Sequence, residues 1–227
     1  MAREDERFDE VEIRVIRPRY FNKAGRFELG GNFGAVMNET FILTLLASGI
    51  ISFHFSESFA LEASGSYGFN IDKDDKRILF DKFDIRTQIF RTLFNADAVL
   101  QWTPMYGKWQ LSGGRLIYFD TYFGFGGGLT GIDWKYSDFC VDPSAENEDA
   151  NPVPADSSKS YPTLIFSGGQ RYFVSKTTAF KFDIKYRFFN YNTLDAECDP
   201  ISVEQSGNFG EQPRENVTIH LGASKFF

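Results

Sequence analysis

Long hydrophobic runs are missing from this chain. No stretch of about 18 apolar residues occurs, which excludes a membrane-spanning helix. The longest, Phe41 to Ile51, is short and interrupted by Thr44 and Ser48. There is no basic stripe, and 24 basic against 31 acidic residues leave a net charge of −7, so no nucleic-acid partner is expected. Cysteine is scarce: Cys140 and Cys198 alone exclude a disulfide-dense scaffold and a four-cysteine metal site. Histidine is as scarce, with only His54 and His220, which leaves little for a metal centre or imidazole chemistry. Met1 is followed by Ala2, Arg3, Glu4, Asp5 and Glu6 rather than by an apolar leader core. Together with the pattern below, this makes a processed, exported chain with an added start methionine the expectation.

What the chain has is aromatic side chains, 17% of the residues, with 26 Phe and 20 Gly. That apolar content excludes general disorder. Helical periodicity is rare, whereas period-two alternation recurs eight times. Large residues Phe27, Leu29 and Phe33 alternate with Glu28, Gly30 and Asn32; further segments run through Leu43 to Phe55 and Phe59 to Phe69. The fourth and fifth are Ala96 to Trp102 and Phe119 to Leu129, the sixth is a less regular Thr163 to Phe173, and the eighth is Val217 to Phe227. The seventh is the clearest, with Phe180, Phe182, Ile184, Tyr186 and Phe188 against Lys181, Asp183, Lys185 and Arg187. About ten residues per segment is the length a tilted strand needs to cross a bilayer.

The connections alternate in length. Ser56-Glu57-Ser58 and the residues around Ser175-Lys176 are short, whereas roughly 70–95, 133–162 and 190–216 are long. Short turns on one side and long loops on the other match the periplasmic and extracellular ends of an outer-membrane barrel. The short connection near Asn38-Glu39-Thr40 departs from this, and 104–117, with turn signals at Pro104, Gly107, Gly113 and Gly114, is intermediate. Residues 78–94 are partly helical in spacing and fit either a short capping helix or strand extensions.

Size decides which face lies inside. The interior of an eight-stranded barrel only just holds side chains, and the Phe-rich set is too bulky for it. The expected fold is therefore all-β: an eight-stranded antiparallel, up-and-down transmembrane barrel over residues 25–227, with a plugged polar lumen. Residues 1–24 are expected to form a periplasmic arm. The lumen charges would be Arg26, Lys181, Lys185 and Arg187 against Glu28, Glu62, Asp97, Asp120 and Asp183. Val11, Ile13, Val15 and Ile16 give the arm a largely alternating stretch that fits strand addition on a partner, insertion as a plug, or a loose terminus. Cys140 and Cys198 fall in two long loops on one side, and an oxidising compartment favours a disulfide between them. Those loops are acidic: residues 133–160 carry seven acidic and two basic side chains, and 191–215 carry six and one. His220 is expected to fill the lumen and His54 to sit solvated at the periplasmic rim.

The terminal strand, Val217, Ile219, Leu221 and Ala223 leading to Phe227, resembles the signal read by the barrel assembly machinery; Lys225 departs from it. Beyond this, the chain resembles the deltaproteobacterial outer-membrane β-barrel domain family of myxobacteria and Bdellovibrio-like bacteria over roughly residues 15–227. The stretches that carry the resemblance are Arg19-Tyr20-Phe21 through Gly25-Arg26-Phe27-Glu28-Leu29, Phe53-His54-Phe55-Ser56-Glu57 followed by Ala60-Leu61-Glu62, and Trp102 to Lys108. Tyr118-Phe119-Asp120-Thr121-Tyr122 and Gly169-Gln170-Arg171-Tyr172-Phe173 complete the set. The resemblance implies a non-enzymatic barrel in the outer membrane of a Gram-negative bacterium, with some members serving gliding machinery. An anchoring or docking role is the resulting expectation, with a small-solute channel or a lipid-modifying enzyme as alternatives. Outer-membrane lipid, lipopolysaccharide, the assembly machinery and a periplasmic or membrane protein are the expected partners, and no cofactor is expected.

Overall fold

Strands that alternate large apolar with small or polar residues present two unlike faces, and a sheet closed on itself gives each face its own environment. In the computed structural model, which describes residues 21–83, 89–110, 116–135, 156–193 and 210–227, the sheet closes completely. Its strands are β1 (Phe27–Val36), β2 (Ile42–His54), β3 (Phe59–Asp72), β4 (Arg91–Gln110), β5 (Leu116–Trp134), β6 (Ser157–Phe173), β7 (Thr178–Asn192) and β8 (Glu211–Phe226). Each pairs antiparallel with its sequence neighbours, and β8 closes on β1. One helix, α1 (Asp74–Phe83), lies between β3 and β4, with Asp74 and Asp75 in its first turn and Lys82 in its last, as the helix dipole favours.

The register fixes the bore. Followed from Glu28 through Ser52, Glu62, Val99, Gly126, Ile165 and Arg187, the pairing reaches β8 at Asn216, ten residues short of Phe226, the partner of Glu28 on the other side. For eight strands, that stagger with ordinary rise and spacing gives a tilt of about 40° and a backbone radius of about 8 Å. Side chains fill such a tube and leave no room for rings from every strand. The rings point outward instead: Phe33 is 78% exposed, and Phe27, Phe59, Phe69, Phe123, Phe125 and Phe180 stand on the same outer surface.

The two tight hairpins at the end carrying both ends of the barrel use one device. Ser56 Oγ accepts from the Ser58 and Phe59 amides at 3.2 and 3.0 Å; Ser175 Oγ accepts from those of Thr177 and Thr178 at 3.2 and 3.0 Å. By the rule of short inner turns and long outer loops, this is the periplasmic end. Just before β1, Gly25 takes a φ of 76°, which only glycine adopts freely, and its amide donates to the His54 carbonyl at 2.8 Å.

Two sequence readings change here. Pro104 and Gly107 do not lie in a connection: β4 runs through them to Gln110, with a register shift between Trp102 and Met105. Proline lacks an N–H for the ladder and is tolerated at such an irregularity. For residues 78–94 both readings apply in part, because α1 ends at Phe83 and β4 already begins at Arg91.

Candidate functional site

Every strand contributes inward side chains, and they sort into three layers. At the periplasmic end Phe21, Phe173, Ala179 and Phe226 cluster, with Tyr106 and Tyr118 against them. Phe21 precedes the barrel and enters its mouth, stacking on Phe173 at 4.5 Å between centroids and meeting Phe226 edge-on at 4.7 Å. At the extracellular end Ile132, Trp134, Tyr161, Phe189 and Tyr191 cluster, with Phe90 packed on them. Trp134 Nε1 donates to Tyr161 Oη at 3.1 Å, so the indole N–H is satisfied inside an apolar layer.

Between these layers lies an ionic one. Lys181 donates to Glu62, and Lys185 Nζ donates to Glu62 Oε1 at 3.1 Å, Ser64 Oγ at 2.8 Å and Asp97 Oδ2 at 3.5 Å. Arg187 holds Asp97 with two donors, Nη2 to Oδ2 at 2.6 Å and Nε to Oδ1 at 3.4 Å, while its Nη1 donates to Thr218 Oγ1 at 2.9 Å. Gln101 bridges, donating to Glu62 at 2.8 Å and accepting from Arg171. Arg171 lies 3.6 Å from Glu28 and 3.9 Å from Asp120, and its guanidinium stands 4.6 Å from the Tyr122 ring centroid. Tyr122 donates to Asp183 Oδ1 at 3.1 Å. Lys23 reaches in from ahead of the barrel to pair with Asp120.

Glu28, Glu62, Asp97, Asp120, Lys181, Asp183, Lys185 and Arg187 are thus all buried in the lumen. Arg26 is not. It lies half-exposed at the rim, where Nη1 donates to the Lys176 carbonyl at 3.2 Å. It stands before β1 begins, so strand alternation does not govern it. Lys23 and Arg171 join the network instead. Arg171 keeps the inward parity of β6, but Ser167, Gly168, Gly169 and Gln170 blur the alternation there; Lys23 lies outside any periodic segment.

His54 also differs from the sequence reading. It is buried, not solvated, because Phe226 lies under its ring at 5.4 Å and the segment ahead of β1 covers the mouth; its Nε2 is 2.9 Å from Glu28 Oε2. His220 faces the lumen with Nε2 3.0 Å from Thr218 Oγ1, and its ring occupies the space a Cβ on Gly34 would need. Among the described residues no group of three or more His, Cys, Asp or Glu is placed to hold a metal ion.

Val217, Ile219, Leu221 and Ala223 lie on the outer face of β8, and Phe227, exposed, follows its last residue. Val11, Ile13, Val15, Ile16, Cys140 and Cys198 lie outside the described residues, as does most of the acidic sequence of the two long loops.

A ring with an apolar outer belt and an ion-paired interior is built for a bilayer crossed by strands. Solved structures share the architecture. The N-terminal β-barrel domain of Pseudomonas aeruginosa OprF is similar at a TM-score of 0.50 and 7% identity, over 90% of this chain and 98% of that one. P. aeruginosa OprG is similar at 0.48 and 13% identity, over 91% and 97%. Yersinia pestis Ail is similar at 0.44 and 11%, over 90% and 99%. No family model matches the chain, and no curated protein matches it. The fold shared with OprF and the apolar belt define the class: the chain is an eight-stranded membrane β-barrel of the outer-membrane type.

Proposed function

We propose that this barrel is a non-enzymatic anchor or docking component of an envelope assembly, with the arm of residues 1–24 and the acidic outer loops as its contact surfaces. One observation carries the reading. Among the described residues the lumen is filled in three successive layers, with Phe21 and Lys23 among the side chains that fill it, so a partner would meet the rest of the arm, the loops or the lipid face. Outer-membrane lipid and lipopolysaccharide surround the belt, and the outward row on β8 is the surface offered to the assembly machinery. Membership of the deltaproteobacterial family, and with it a gliding-type assembly, rests on the sequence stretches given above. A Cys140–Cys198 bridge between the outer loops belongs to the same reading, and thiol titration of the unreduced protein is expected to find no free group.

Photo-cross-linking in cells from positions 11, 13, 15 and 16 tests the role. A discrete adduct with one periplasmic or membrane protein is expected, and the absence of any adduct from all four positions overturns the docking role. Single-channel recording in planar bilayers separates the channel reading: no steady conductance is expected, and a steady open level overturns the structural one.

A further inference from the structure

The extracellular mouth holds a cleft that the plug does not use. It has a volume of about 210 Å³ and is lined by Asn38 to Ile42 of the first hairpin and the start of β2, by Ile89 and Phe90 ahead of β4, and by Arg214 of β8. Two charged groups border it. The Arg214 guanidinium carbon stands over the Phe90 ring, 3.7 Å from its centroid, and its Nε is buried without an acceptor among the described residues. Glu39 is only 7% exposed; its Oε2 accepts from Thr44 Oγ1 at 2.5 Å, and its Oε1 is buried with no donor. The two groups feel one another electrostatically, yet no ion pair joins them. The neighbouring cation, Lys73, donates from Nζ to the Glu39 backbone carbonyl at 2.8 Å.

A buried carboxylate oxygen without a donor and a buried guanidinium Nε without an acceptor are costly groups to leave open. Direct contact between them would settle both, and the fold keeps them apart across a cleft with walls from Phe41, Ile42, Ile89 and Phe90. We propose that this cleft binds one small zwitterion with an aliphatic body, an α-amino acid in chemical class, its carboxylate on the fork of Arg214 and its ammonium on Glu39. Arginine is suited to this because its planar donors grip a carboxylate at two points while its face rests on an aromatic ring. The apolar walls take the side chain, and the volume admits a single molecule.

Isothermal titration calorimetry of the full chain in detergent micelles tests the assignment, with L-leucine as probe. Saturable one-to-one binding is expected. N-acetyl-L-leucine, which lacks the ammonium, and isopentylamine, which lacks the carboxylate, are each expected to bind at least tenfold more weakly to the unaltered protein. Glu39→Gln and Arg214→Gln, each checked for the heat-modifiable migration of a folded barrel, are expected to lose tenfold or more in affinity for L-leucine. No saturable heat with L-leucine overturns the proposal. So does equal affinity for either analogue, or unchanged affinity in both variants. The analogue comparison stands on the unaltered chain even where a variant fails to fold.

Discussion

Buried charges here come in coupled groups, so single substitutions have predictable asymmetry. Glu62 is shared by Lys181, Lys185 and Gln101. Glu62→Gln leaves two buried ammonium groups short of their carboxylate and is expected to cost about 3–5 kcal/mol, measured by urea unfolding in lipid vesicles. Arg26→Ala, at the half-exposed rim, is expected to stay within about 0.5 kcal/mol. The contrast marks what could be read from sequence. Parity along a strand put Glu28, Asp97 and Lys185 on one face, and the narrow bore made that face the inner one. Parity says nothing about residues ahead of the first strand, so it misassigned Arg26 and could not find Lys23. Nor does it report what lies above or below a side chain, which is why the covering of His54 by Phe226 was not legible.

Glu39 adds a pH dependence. Burial holds its carboxyl above the usual range, against the pull of the Thr44 hydroxyl and of the Arg214 and Lys73 charges. A raised carboxyl means that the folded state binds more protons than the unfolded one between the usual value and the raised one. Its contribution to stability therefore falls as pH rises through that interval. Glu39→Gln is expected to remove this slope and to make the barrel more stable at neutral pH, measured by urea midpoints across a pH series. A group that lowers stability and is nonetheless in place is what a binding cleft asks for.

Among the elements, the segment ahead of β1 behaves as part of the barrel. Phe21 fills the mouth, Lys23 pairs with Asp120, and the Lys23 and Ala24 amides both donate to Glu57 Oε1 at 2.9 Å. Lys23→Ala leaves Asp120 without its lysine and is expected to cost about 3–5 kcal/mol in urea unfolding. The sequence boundary at residue 25 sat just ahead of the alternation that begins at Phe27, but what enters a mouth depends on tertiary contacts that local pattern does not encode. Element length was underestimated for a related reason. The alternation that marks a strand is strongest where one face meets hydrocarbon, so the extensions of β4 to Gln110 and β5 to Trp134 were read as connections.

For the whole molecule, the outward direction of the rings was legible because it follows from geometry: a tube about 8 Å in radius cannot take them. The belt they form has a measurable consequence. Leu100 is half-exposed on the outer face, paired in register with Leu61 and Phe125. Leu100→Lys is expected to destabilise the barrel in vesicle-based unfolding, by less than the roughly 2–4 kcal/mol of a cation at the bilayer midplane, because its level lies toward the β2–β3 hairpin.

The lumen holds Lys23, Arg171, Lys181, Lys185 and Arg187 facing Glu28, Glu62, Asp97, Asp120 and Asp183, so their formal charges cancel. A tube whose content is electrically null experiences no net pull from a Donnan voltage across the envelope. It can also enter the bilayer during insertion without carrying uncompensated charge through hydrocarbon, provided that the pairs form before the wall shuts.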